Sequence, residues 1–385
     1  MKSNLFITAL LSVTLFAGSN SSNAKPQQKI TIENLETDAS TKIQVALLLD
    51  TSSSMDGLID QAKSRLWEIV NTLTTLKYEG KTPEIEIALY EYGNDGLTQK
   101  SNYIRQITPL STDLDLISEK LFALRTNGGS EYCGAVIQDA TKKLKWAPEN
   151  TSMKLIYIAG NEEFNQGKIS YKESISNALK NDIYVNTIYC GNKTEGISTF
   201  WKDGADRGKG KYFNIDSDKA VQYIATPYDE EITKCDEKIN KTYINYGSKG
   251  AEKKMNQVIQ DQNAKKVSNA NYTNRAVSKS KAVYKNESWD LVDKAKQDPN
   301  VISKIKKEEL PAELKDKSEE EIKTIVAEKT KERETIQKEI SVLAKKRQEY
   351  IDVEAKKANK QDDLGNTINS SIVSFAKVKG YTVVK

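Results

Sequence analysis

Ile43-Gln44-Val45-Ala46-Leu47-Leu48-Leu49, running directly into Asp50-Thr51-Ser52-Ser53-Ser54-Met55, is the stretch that decides the fold. The apolar run is short for a helix and too continuous for a half-exposed strand; it suits a strand covered on both faces. It stops at a carboxylate, and hydroxyls follow at alternate positions, Ser52 and Ser54. Beyond Met55, the residues Leu58, Ala62, Leu66, Ile69, Leu73 and Leu76 recur at spacings of three and four, which predicts an amphipathic helix. Buried strand, polar loop and helix in that order open a doubly wound sheet, in which ligands collect at the carboxyl ends of the strands.

The same alternation continues to about residue 225. Further strand candidates are Ile85–Tyr92, Tyr103–Thr108, Lys154–Ala159, Tyr184–Cys190 and Lys211–Ile215, with helix candidates Asp115–Leu124, Cys133–Lys145 and Tyr171–Lys180 between them. The expected class is α/β, a doubly wound, mostly parallel, Rossmann-like sheet over residues 40–226. A mostly α-helical region, 227–385, follows.

That second region has a different texture. Glycine nearly vanishes, and after Ser248 there are 30 basic and 22 acidic side chains, net +8, against net −4 before it. Interleaved Lys and Glu indicate solvated helix faces with i,i+4 pairs, which argues against a nucleic-acid partner and disfavours a membrane surface. Ile322, Val326, Lys329, Arg333, Ile336, Ile340, Leu343, Arg347 and Tyr350 follow heptad steps of four and three. Three of these nine are Lys or Arg, so one long helix folded back on its own chain is favoured over a dimeric coiled coil; a homodimer through these helices stays open.

Composition removes whole classes of chemistry. The 385 residues contain no histidine, which excludes Ser-His-Asp and Cys-His triads, His-ligated zinc and a histidine pH switch. Three cysteines are too few for a disulfide scaffold or an all-cysteine zinc site. No Gly-x-Ser-x-Gly turn is present, and a carboxylate pair such as Asp50 with Glu162 has no identifiable base beside it, so the chain is expected not to be an enzyme.

At the amino end, Met1-Lys2 is followed by an apolar run, Leu5 to Gly18, and by small residues at Ser22 and Ala24. This reads as a cleavable signal peptide over residues 1–24, too short for a membrane span. No cysteine occurs before Cys133, so the lipid-anchored route lacks its attachment residue. The expected location is exported, periplasmic or secreted.

Asp50, Ser52 and Ser54 are hard oxygen donors of the kind that suit Mg²⁺ or Mn²⁺. Neither glycine-rich nucleotide loop, G-x-G-x-x-G or GxxxxGK[ST], stands at this place. A serine-rich helix cap explains the same residues equally well, and the pattern alone does not choose.

The arrangement as a whole resembles the von Willebrand factor type A domain and its metal-ion-dependent adhesion site. Asp50, Ser52 and Ser54 match the family's Asp-x-Ser-x-Ser, and Gly128-Gly129-Ser130 with Gly134-Ala135 resembles its Gly-Gly-Thr segment, with Ser130 at the threonine position. The resemblance implies a cation held by Asp50, Ser52, Ser54 and Ser130, with an acidic group of a protein partner filling its open position. The family's Thr-Asp-Gly after the fourth strand is absent: the segment reads Ile158-Ala159-Gly160-Asn161-Glu162-Glu163, which puts Gly160 at the aspartate position and leaves Asn161 or Glu162 as substitute donors. Asn127–Gly134, Ile158–Phe164, Trp201–Ala205 and Tyr212–Asp216, with Ser288–Asp293, Leu310–Lys315 and Ala376–Tyr381, further resemble a group of secreted bacterial type A proteins with a helical carboxyl-terminal region. In this fold Cys133 and Cys190 would both lie at the metal-site end, which makes a disulfide between them an expectation to test. The implied function is a non-enzymatic binding module; the alternative is a metal-independent structural or assembly protein that binds through its helices.

Overall fold

Asp50 closes a nine-residue strand, β1 (Lys42–Asp50), whose side chains are buried from Ile43 onward. The computed structural model describes residues 41–216, 221–357 and 364–384. The signal peptide expected over 1–24 lies outside them. After β1 come α1 (Asp56–Thr74), β2 (Leu76–Lys77), β3 (Glu84–Tyr92), β4 (Ile104–Ser111), α2 (Leu114–Ala123), α3 (Cys133–Lys143) and β5 (Met153–Gly160). Then follow α4 (Tyr171–Lys180), β6 (Ile183–Cys190), α5 (Lys193–Ser198), α6 (Trp201–Arg207) and β7 (Lys209–Ile215). The helical region holds α7 (Asp229–Asn240), α8 (Gly250–Val267), α9 (Asn269–Lys279), α10 (Leu291–Gln297), α11 (Val301–Lys304), α12 (Glu319–Lys357) and α13 (Leu364–Val378), before a short β8 (Thr382–Val383).

The main sheet has the order β4-β3-β1-β5-β6-β7, parallel throughout except for β4, which runs antiparallel to β3 on the edge. The chain builds outward from β1 through β3 and β4, then crosses back to β5. The strand order therefore reverses beside β1, and the carboxyl ends of β1 and β5 flank the crevice where such sheets take ligands. This is the expected doubly wound α/β class.

Strand alternation divides β1 between two cores. Val45, Leu47 and Leu49 face a core that includes α1 and α2; Ala46 and Leu48 face the one that includes α3 and α4. The first core is completed from far along the chain. Ile368, Ile372, Phe375 and Ala376 of α13 pack into it, and the Tyr157 and Ser371 hydroxyls lie 3.1 Å apart. Tyr381 is buried and its hydroxyl donates to the carbonyls of Thr151 (2.8 Å) and Lys42 (3.2 Å), while β8 pairs antiparallel with β2.

The long helix α12 folds back on its own chain, as favoured. Ile336, Ile340 and Leu343 pack with Ile232, Ile239 and Val277, and Ile322 and Val326 pack with Leu291, Val301 and Ile302. Two of the three basic seam residues become anchors. Arg333 Nη1 donates to Asp290 (2.6 Å) and Asp293 (2.7 Å), and its guanidinium lies 4.0 Å from the Tyr243 ring centre. Arg347 donates to Asp229 (2.6 Å) and to the side-chain carbonyl of Asn274 (2.8 Å). Seven of the nine seam residues are buried within the one chain.

The Cys133–Cys190 bridge is absent: both thiols are free and buried. Cys133 belongs to the α3 side of the sheet and Cys190 to the α1 side, so the sheet stands between them. The Cys133 thiol donates to the Tyr92 hydroxyl instead, at 3.8 Å.

Candidate metal site

Asp50 ends β1 with its side chain completely buried. The loop that follows is fixed by the backbone: Thr51 N–H donates to the Tyr92 carbonyl (2.9 Å), and Met55 N–H to the Ser52 carbonyl (3.0 Å). Ser52 N–H donates to Asp50 Oδ1 at 2.8 Å. The Ser52 and Ser54 hydroxyls lie 3.3 Å apart, and Asn161 Nδ2 donates to Ser54 Oγ at 3.1 Å. Asp50, Ser52, Ser54 and Asn161 therefore form one hydrogen-bonded set across the ends of β1 and β5.

Ser130 lies on a neighbouring loop and is half-buried. That loop is tied to the set by its backbone: Asn127 N–H donates to the Thr51 carbonyl (2.9 Å), and Asp95 N–H donates to the Gly128 carbonyl. A Cβ on Gly129 would lie 2.1 Å from the Gly93 carbonyl oxygen, so only glycine permits this approach. Ser130 makes no hydrogen bond to Asp50, Ser52 or Ser54.

Gly160 is a requirement of the packing. A Cβ there would lie 2.6 Å from the Tyr92 hydroxyl, 3.0 Å from Asp50 Oδ2 and 3.1 Å from the Trp201 ring. Tyr92, whose hydroxyl donates to the Ala159 carbonyl at 2.9 Å, fills the place an aspartate side chain would take.

Two carboxylates dominate the electrostatics, and the sequence reading missed one of them. Glu131, directly after Ser130, is buried, with Asp50 and Ser52 as electrostatic neighbours. Burial, with the neighbouring charges of Glu131 and Glu162, pushes Asp50 up to about 8 against the opposing Ser52 N–H bond. Burial and Glu162 push Glu131 up to about 7. Among the described residues neither carboxylate has a Lys or Arg ion pair, and Asp50 Oδ2 has no hydrogen-bond partner.

The donor set fits a divalent cation of the Mg²⁺ or Mn²⁺ type. All the oxygens are hard, one buried carboxylate oxygen is unpartnered, and the negative charge has no counter-charge. No group of three Asp, Glu or Cys side chains capable of holding a metal occurs among the described residues, so hydroxyl and amide oxygens would have to complete the shell.

The raised carboxylates give a signed expectation for metal-free protein. Between the unfolded and folded pKa values the native state binds more protons than the unfolded chain, so stability falls as pH rises. In EDTA the melting temperature is expected to drop by about 3–6 °C from about pH 5 to about pH 8.5. Asp50→Asn should flatten most of that slope in a pH series of melts.

No family model matches the chain, and no curated protein matches it. Solved structures do. Proximal thread matrix protein 1 from the mussel byssus, with a zinc-occupied MIDAS motif, is 16% identical; the match covers 47% of this chain and 43% of that one, with a TM-score of 0.36. The conserved hypothetical protein BatB from Bacteroides thetaiotaomicron is 16% identical over 45% of this chain and 90% of its own, TM-score 0.35. The SpRpn10 VWA domain is 14% identical over 46% and 88%, TM-score 0.34. The sheet order, the position of Asp50 where that order reverses, and the Asp-x-Ser-x-Ser turn give residues 42–215 the fold of a von Willebrand factor type A domain.

Proposed function

We propose that the chain is an exported, non-enzymatic protein-binding module. Asp50, Ser52, Ser54 and Ser130 hold Mg²⁺ or Mn²⁺, and the cation's open position engages an acidic group on a protein partner. The observation that carries this reading is Asp50: a buried carboxylate with an unpartnered oxygen, at the crevice where the sheet takes ligands, joined through its loop to two hydroxyls. Ser54 and Asn161 reach the surface and Ser52 lies just beneath it, so a partner's carboxylate has access from outside. A bound cation supplies charge and an open coordination position; the chain's own residues orient it and exclude water from the Asp50 side. Non-enzymatic use is supported by the absence of histidine and of a nucleophile turn. Export rests on the leader-like first 24 residues, and no described helix is long and apolar enough to cross a membrane.

Thermal melts of the full chain test the reading, first in EDTA and then with millimolar Mg²⁺ or Mn²⁺. A cation at 100 times its dissociation constant should add about 2.7 kcal/mol, and Asp50→Ala should abolish the shift. No shift in either protein would transfer the binding role to the helical half, without metal.

A further inference from the structure

We propose that Glu131 supplies the second carboxylate of this cation site, in place of the residue at position 160. The inference rests on the cation reading above and names the ligand that reading lacks.

Geometry eliminates the other candidates. Position 160 is closed, since the Tyr92 hydroxyl and Asp50 Oδ2 already occupy the surroundings of its Cβ. Asn161 is tied to Ser54 and brings an amide, so it adds no charge. Glu162 is exposed, and its carboxylate accepts from Gln166 Nε2 at 3.3 Å. Its backbone is held from the other side, where the carbonyl accepts from Trp201 Nε1 at 2.7 Å. Asp95 and Glu163 are exposed as well.

Glu131 differs from all of these. Its side chain is 7% exposed and passes over Gly93, a glycine with φ +78°. A Cβ on Gly93 would lie 2.8 Å from Glu131 Cγ and 2.7 Å from Asp50 Oδ1. The glycine thus clears a space across which the two carboxylate stems approach each other. Ser52, whose hydroxyl is one of the expected cation ligands, is also an electrostatic neighbour of Glu131. The independent sign of a missing ligand is Asp50 Oδ2, buried and unpartnered. Two carboxylates with two or three hydroxyls match the charge of one divalent cation, whereas Asp50 alone leaves it half neutralised. Burying Glu131 here without a cation costs solvation that no Lys or Arg ion pair among the described residues returns.

Mn²⁺ titration of the full chain, read by the electron paramagnetic resonance of free Mn²⁺, tests this. Glu131→Gln should weaken Mn²⁺ binding by at least about tenfold. Glu162→Gln, an exposed and screened charge, should change it by less than about threefold. In EDTA Glu131→Gln should melt at or above the wild-type temperature, because a buried charge has been removed; that result shows the variant folds. Wild-type affinity in Glu131→Gln, with binding lost in Asp50→Ala, overturns the assignment of Glu131 and leaves the cation site standing. A loss in Glu162→Gln equal to that in Glu131→Gln also overturns it. No Mn²⁺ binding by the wild type overturns both readings.

Discussion

Arg275→Ala is expected to cost about 3–5 kcal/mol, the range for breaking a buried ion pair from one side. Arg275 on α9 is fully buried, and its guanidinium joins three helices. Nε donates to Asp261 on α8 at 2.6 Å, Nη1 to Asp115 on α2 at 2.7 Å, and Nη2 to the Gln257 carbonyl at 3.0 Å. Trp67 of α1 lies beneath it, ring centre 4.6 Å away, and the Tyr284 hydroxyl donates to the other Asp115 oxygen at 2.6 Å. Lys279, one turn on, is buried against Asp236 and Asp261. Alanine would leave Asp115 with only the tyrosine and Asp261 with Lys279 and the Asn240 amide, while opening a cavity against Trp67. Arg275→Lys keeps a charge but cannot present the fork that spans both aspartates, so it should recover only part of the loss. Chemical denaturation of the three proteins measures this. A loss under about 1 kcal/mol for alanine would mean that the helices are held to the sheet by apolar contacts alone, the net worth of well-solvated pairs being in that range.

Gly160→Asp, which introduces the aspartate of the type A pattern that position 160 lacks, is expected to damage the protein. Its Cβ would stand 2.6 Å from the Tyr92 hydroxyl, and its carboxylate would join Asp50 and Glu131 in a site without a basic residue. Overpacking of this kind costs about 1–3 kcal/mol, and an added buried charge raises the total to about 3 kcal/mol or more in EDTA. Adding Tyr92→Phe removes the nearest obstructing atom and should return part of the loss. The readouts are denaturation midpoints in EDTA and Mn²⁺ affinity. A stable Gly160→Asp protein with tighter metal binding would show that Tyr92 yields space and that position 160 had merely lost its ligand.

The sheet was legible because its strands carry long apolar runs bounded by polar turns. All six strand candidates and all four helix candidates of the first half recur in the structure within a few residues. The helices α5 and α6 were not read, since each spans under two turns and carries a glycine, Gly196 or Gly204, in place of a periodic apolar stripe. Strands β2 and β8 have two residues each, below any period. The basic seam residues of α12 looked like defects because a heptad count cannot see that Asp229, Asp290 and Asp293 wait opposite them. Asp50, Ser52 and Ser54 were legible as a motif, whereas Glu131 was not: a glutamate just before a helix reads as a first-turn charge favoured by the helix dipole. Its burial depends on Gly93, a residue far from it in sequence. Gly160 was read as a subtraction, and only the position of Tyr92 shows why it has to be glycine.

The fastening of β8 to β2 has a consequence for timing. Thr382 pairs with Lys77, and Tyr381 reaches the carbonyl of Lys42, the first residue of β1. A chain that emerges amino end first, from a ribosome or through a translocation pore, has every strand of its main sheet available long before α13 arrives to cover the α1 face. Until then Tyr157, Leu155 and their neighbours have an incomplete roof. Contacts across such sequence separations form late, because the loop must close before they return anything. Elongation of the polypeptide sets the clock for the last step of assembly, and an intermediate stalled before residue 368 would carry an adhesive face that a chaperone or a second nascent chain could seize.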